Sequence, residues 1–211
     1  DLLITVAGNP KFDGVEKRII SWPIAFGVLG CRIPVCRHDQ RERILARSDT
    51  PFKTATIALP ADWADVPIFQ ANGFPVAAQT SLEACFEQVA CGAADYLCLG
   101  ANEVQAVLED YGKPYPDLGI ATGQVLHYPM PLQFYCHPKA RDLQAQLTAV
   151  LDEYQCSGGL FTLFEQHFGA QVAALDLQQC QVHPLRNPLL RNGSRLAESL
   201  SPLLGTPNPA G

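Results

Sequence analysis

Three short segments place polar or aromatic side chains at the ends of apolar runs, where a small molecule can be held. Pro60-Ala61-Asp62-Trp63 follows the run Thr54 to Leu59 and opens a helical stretch, so its backbone N–H groups can meet an anion or another ligand. Asp62 adds a carboxylate there, and Trp63 either stacks on a ligand or packs against the protein. Gln79-Thr80-Ser81 stands at a second helix start, where capping accounts for Thr80 without any ligand. In the third segment, Leu99-Gly100-Ala101-Asn102-Glu103, Gly100 has no side chain and leaves room, with Asn102 and Glu103 beside it. The chemistry on offer is recognition by hydrogen bonds, stacking and a carboxylate.

Covalent catalysis finds little support. There is no G-x-S-x-G elbow, no H-E-x-x-H, no phosphate loop and no Gly-rich dinucleotide fingerprint, so no cofactor is implied. The five His (His38, His127, His137, His167, His183) are separated, and Cys136 and His137, neighbours on a strand, point to opposite faces. Eight Cys contain no CxxC and match no zinc spacing. They read either as buried small apolar residues or as disulfide partners in an oxidising compartment.

The elements that must position these segments alternate. Thr54 to Leu59 reads as a strand, Trp63 to Gly73 as a helix interrupted at Pro67, and Pro75 to Ala78 as a strand. A helix then runs from a capping box at Thr80 and Glu83 to Cys91, with Leu82, Cys85, Phe86, Val89 and Ala90 on one face, and Asp95 to Leu99 follows as a buried strand. Asn102 to Tyr111 is a further helix ended by Gly112. Before this region, Leu2 to Ala7 and Ile19 to Cys36 read as strands, the second with breaks at Pro23, Gly27 and Gly30. After it come the runs Gln124 to Tyr128 and Leu132 to Cys136, then helices over Lys139 to Tyr154 and Gly159 to Phe168. The segment beyond Gly169 reads as strand-poor, with Gly205 to Gly211 a disordered tail.

With 211 residues the chain can bury a substantial core as one α/β domain or two small lobes. A net charge of −6 with scattered Lys and Arg gives no footprint for nucleic acid, and no apolar run is long enough to span a bilayer. The start at Asp1, inside a strand and without Met, suggests a processed or truncated product.

Taken together, Asp1-Leu2-Leu3-Ile4, Ile20-Ser21-Trp22-Pro23-Ile24 with Gly27-Val28-Leu29, Gly92-Ala93-Ala94-Asp95-Tyr96 and a closing helix pair with a Gly break resemble the extracellular solute-binding proteins of family 3. The resemblance implies a type II periplasmic-binding-protein fold: two α/β lobes, joined by two crossing strands, with a ligand cleft between them. Lobe one would comprise 1–38 and 136–169, with its first elements missing, lobe two 39–135, and 170–211 a C-terminal extension. Ser21 and Trp22 would line the lobe-one side of the cleft, and Asp95 would join a helix to a strand. Crossing strands near Cys36 and Cys136 would bring these two cysteines within reach of a disulfide.

The resemblance further implies a periplasmic location, a small-molecule ligand, and a transporter or sensor protein as partner. The amino-acid clamp of the family is missing. Lys11-Phe12-Asp13-Gly14 stands where an Arg would hold the α-carboxylate, and Gly100 where an Asp would hold the α-amino group, so standard amino acids are expected to be poor ligands. Two alternatives come from other classes: an enzyme on the same scaffold, like cyclohexadienyl dehydratase, using Asp62 or Glu103 with a raised pKa, or a degenerate domain that binds a partner protein.

Overall fold

The computed structural model describes residues 2–45, 53–190 and 204, and of Ser21 and Pro23 the backbone alone; the expected tail at 205–211 lies outside them. In chain order the elements are β1 (Leu2–Val6), β2 (Arg18–Ile24), β3 (Cys31–Arg37), α1 (Arg41–Ile44), β4 (Ile57–Pro60), α2 (Asp65–Ala71), β5 (Val76–Gln79), α3 (Leu82–Ala90) and β6 (Tyr96–Gly100). There follow α4 (Val104–Tyr111), β7 (Leu118–Ile120), β8 (Gln124–His127), β9 (Leu132–Cys136), α5 (Arg141–Cys156), α6 (Gly159–Phe164), α7 (Ala170–Ala173) and β10 (Gln181–Pro184).

The strands sort into two sheets. A small antiparallel sheet has the order β1-β9-β2, and a larger one runs β10-β8-β3-β6-β4-β5 with β7 also paired to β3. Within the larger sheet β4 is parallel to β5 and β6, as a chain of β-α-β units requires, while β3 lies antiparallel to β6. Its inner strands β3, β4, β6 and β8 are buried on both faces because successive side chains enter different cores. Ile33, Val35, Leu97 and Leu99 pack with Cys85, Phe86 and Val89 of α3. Cys36, Ile57, Leu59, Tyr96 and Cys98 pack with Ile68 and Phe69 of α2. The small sheet has its own cluster of Ile20, Cys136 and Leu151, the last from α5.

Several expectations need correcting. The run from Ile19 to Cys36 is two strands in different sheets, joined by a turn in which Ala25, Phe26 and Gly27 all have positive φ (65°, 51° and 71°). Left-handed backbone at two non-glycine residues costs of order 1–3 kcal/mol each. Phe26 is held there by edge-to-face contacts with Phe161 and Phe164 at 5.6 and 5.5 Å, which tie this turn to α6. The α3 cap is Ser81, whose hydroxyl accepts from Ala84 N, so the capping hydroxyl lies one residue later than Thr80. The strand-poor segment beyond Gly169 still supplies one strand among the described residues: β10 pairs in parallel with β8, and Asn187 Nδ2 then donates to Pro129 O at 2.8 Å.

The expected disulfide is absent: Cys36 and Cys136 are both unbridged thiols. Cys36 sits in the large sheet opposite Tyr96 and Gly119, whereas Cys136 sits in the small sheet opposite Leu2 and Arg18. The chain passes between the sheets at 25–30 and 128–131 instead. These two passages touch: Tyr128 N donates to Gly30 O at 3.2 Å, and a Cβ on Gly30 would stand 2.0 Å from Tyr128 O.

Two outcomes follow from this packing. Gly30→Ala forces the two backbone passages apart and is expected to lower stability by about 1–3 kcal/mol or more in urea unfolding; an unchanged midpoint would contradict the contact. His127 is buried in β8, and desolvation pulls its pKa below 6.5. Between that lowered value and 6.5 the unfolded chain binds more protons than the folded one, so the thermal midpoint should be level above pH 7 and fall as the pH drops through 6.5 towards 5. A level midpoint across that window would count against it.

Candidate functional site

A cleft of about 260 Å³ opens where the two sheets face each other, with walls from both. On the small-sheet side it is lined by Thr5, Val6 and Leu132 and by Asn9 and Lys11 from the loop after β1. That loop is set by its own side chains: Asn9 Nδ2 donates to Thr5 Oγ1 at 2.9 Å, and Asn9 Oδ1 accepts from Lys11 N at 3.0 Å, with Pro10 starting the short 3₁₀ turn. The large-sheet side supplies Arg32 on β3, Asp62, Trp63, Ala64 and Asp65 after β4 and Glu103 after β6, and the passage segments add Leu29 and Met130.

Two sets of charges organise the cleft. At the mouth, Lys11 Nζ reaches Asp62 Oδ2 at 2.6 Å and joins the two sides. Both side chains are more than half exposed, and the hydrogen bond from Lys11 is the main cause that holds the Asp62 carboxyl below the usual carboxylate range. At the floor, Arg32 is only 3% exposed and its guanidinium meets Asp65 Oδ1 at 2.6 Å, Tyr128 Oη at 2.9 Å and Met130 Sδ at 3.2 Å. Tyr128 in turn donates a short hydrogen bond to Asp65 Oδ1. Burial works against the charge on Arg32, yet Asp65, Tyr128 and Glu103 outweigh it and raise its pKa further. Desolvation likewise drives the Tyr128 pKa well above its ordinary value, so both groups keep their protons.

Glu103 belongs to both the floor and the open cleft. Its Oε1 accepts from Gly100 N at 2.9 Å and lies 3.5 Å from Arg32 Nη1, and its side chain is 34% exposed. The room expected at Gly100 is filled: a Cβ there would meet Asn102 Oδ1 at 2.8 Å, Leu29 Cδ1 at 3.0 Å and Glu103 Oε1 at 3.1 Å. Asn102 Oδ1 is buried with no hydrogen-bond partner among the described residues.

Of the segments singled out from the sequence, Asp62 and Trp63 line the cleft, and Gly100 and Asn102 stand directly behind Glu103. Thr80 is exposed and Ser81 serves as the α3 cap; neither lines the cleft. Trp22 packs against the small-sheet cluster rather than lining the cleft, and the Ser21 side chain lies outside the described residues. Asp95 accepts from Thr56 N at 2.6 Å and pairs with Arg43 at 2.7 Å, a join between helix end and strand. Arg32, Asp65 and Lys11 were not singled out as contributors. The available signal was an Arg inside the apolar run Cys31 to Cys36, since a charge in a strand buried on both faces needs a buried partner. Among the described residues no group of His, Cys, Asp or Glu is arranged to hold a metal ion.

Comparison with family models and with curated sequences finds no match. Among solved structures, the chain is similar to the GluR0 ligand-binding core in complex with L-glutamate, at 14% identity and TM-score 0.57 over 80% of this chain and 72% of that one. It is similar to an amino acid ABC transporter substrate-binding protein from Streptococcus pneumoniae bound to L-arginine, at 12% identity and TM-score 0.55 over 80% and 68%. A third likeness is to the ancestral amino acid-binding protein AncCDT-1, a precursor of cyclohexadienyl dehydratase, at 13% identity and TM-score 0.53 over 78% and 68%. The chain spans roughly two thirds of these and related structures, from 65% to 72% of their length. At such identities the likeness is one of fold: α/β, two-lobed, of the periplasmic-binding-protein kind.

The floor makes a direct prediction. Tyr128→Phe removes the hydroxyl that serves Arg32 and Asp65 together, and should cost about 1–3 kcal/mol in denaturant unfolding because buried charged groups lose a partner. A loss below about 0.5 kcal/mol would show the hydroxyl to be dispensable.

Proposed function

We propose that this chain binds a small solute in the cleft between its two sheets and closes over it, without chemical conversion, as part of an uptake or sensing system in the periplasm. The observation that carries the reading is the Lys11–Asp62 pair at 2.6 Å, which spans the cleft from one wall to the other. In this reading one lobe is built from 2–24 and 132–164, the other from 31–127 with β10, and the passages at 25–30 and 128–131 act as the hinge. A ligand touching both walls favours the closed arrangement by its differential contacts. The neighbours solved with L-glutamate and L-arginine support this reading. A transporter or sensor protein is the fitting partner.

The missing family clamp does not exclude amino acids. Lys11 brings a cation and Glu103 a carboxylate into the same cleft, so both signs of charge are present without an Arg after the first turn or an Asp at position 100. The enzymatic alternative asked for a carboxylate with a raised pKa, and Asp62 is shifted the other way by Lys11. That counts against Asp62 as the raised carboxylate.

Thermal-shift titration with a panel of amino acids, amines, organic acids and sugars tests the proposal. A ligand at one hundred times its Kd should add about 2.7 kcal/mol, a rise of roughly 5–10 °C for a domain of this size. Trp63→Ala should weaken that ligand by about tenfold or more, and small-angle scattering should show compaction on binding. If nothing in the panel raises the midpoint, the domain that binds a partner protein becomes the better reading.

A further inference from the structure

Counting charges inside the cleft points to the class of ligand. Five of the lining side chains are ionisable: Lys11, Arg32, Asp62, Asp65 and Glu103, three carboxylates against two cations. Both cations are already answered. Lys11 is joined to Asp62, and Arg32 is enclosed by Asp65 and Tyr128 with almost no surface left to offer. The third carboxylate, Glu103, is held on Oε1 by the Gly100 N–H and lies 3.5 Å from Arg32 Nη1, which Asp65 already answers more closely, while Oε2 takes no hydrogen bond from the described residues. The buried acceptor of Asn102 stands beside it: Asn102 Oδ1 and Glu103 Oε1 lie 2.8 and 3.1 Å from the same point above Gly100. The partly exposed Trp63 ring lines the same cleft and adds a face that attracts cations.

We infer that the solute carries a positively charged nitrogen, a primary ammonium or a guanidinium, which is received by Glu103. This inference rests on the reading of the cleft as a solute site. A purely anionic solute would meet three carboxylates with only two cations, Arg32 buried against Asp65 and Lys11 shared with Asp62 at the exposed mouth, so the net charge of the lining opposes it. A cation meets no such opposition. It also explains why Arg32, the side chain that would first suggest an anion site, is turned into the floor and neutralised there.

Calorimetry at pH 7.5 on the full chain with putrescine, agmatine and L-arginine, set against succinate and D-glucose, tests the inference. At least one of the three nitrogen cations should bind with succinate and glucose at least tenfold weaker, and Glu103→Gln, which keeps an oxygen acceptor for Gly100 N, should weaken that cation at least tenfold. The wild-type comparison stands even if the variant fails to fold. Preferential binding of succinate or glucose, or a cation bound equally well by a folded Glu103→Gln protein, would overturn the inference and leave the binding function intact. Silence towards all five probes together with a silent wider panel would overturn both.

Discussion

A guanidinium held 3% exposed between two sheets is costly to desolvate, and the architecture around Arg32 is arranged to answer it. Asp65 is the first residue of α2, so the helix and the loop Pro60 to Ala64 ahead of it must lie where that carboxylate reaches Arg32 at 2.6 Å. Tyr128 ends the run of β8, so the second passage between the sheets is fixed by the same group. Glu103, after β6, completes the ring and stays open to the cleft. Three segments that line the cleft are thus referred to one buried charge.

The same contacts limit how the cleft can move. Both passages run side by side, Gly30 against Tyr128, so the joint between the sheets is a close backbone contact and not a pair of free linkers. The first passage is further restrained by Phe26 on α6, and the second by Asn187, which reaches Pro129 from beyond β10. In the proposed closure, opening about this joint breaks the exposed Lys11–Asp62 pair at the mouth before it disturbs the buried floor. Exposed ion pairs contribute little and yield easily, whereas buried ones resist. This ordering suits a cleft that opens and closes while its floor stays assembled.

The sequence made some of this legible and hid the rest for physical reasons. Apolar runs at 57–60, 96–100 and 124–127 and the one-sided helix at 82–90 are local patterns, and they appear in the structure within a few residues of where periodicity puts them. The loops holding Asp62, Trp63 and Glu103 stand out in the sequence because ligands collect at strand ends in open α/β sheets, and in the structure these three residues line a cleft. Long-range pairings were not. Lys11 and Asp62 are 51 residues apart, and Arg32 and Tyr128 are 96 apart, so no window of sequence displays them. Thr80 and Ser81 are chemically equivalent cap candidates, and backbone geometry alone chose the second. The strand at 181–184 was hidden by a short, mixed run ending in Pro, and it forms because the edge of β8 is there to pair with.

The central claim, that Arg32 is a structural charge consumed by Asp65 and Tyr128, is tested most directly by a double-mutant cycle with Arg32→Met and Asp65→Leu, followed by urea unfolding. Each single change strands a buried charge and should cost about 3–5 kcal/mol, while the double variant leaves no orphan and should recover most of that loss. Single costs that simply add in the double variant would contradict the account and return Arg32 to the list of groups free to meet a ligand.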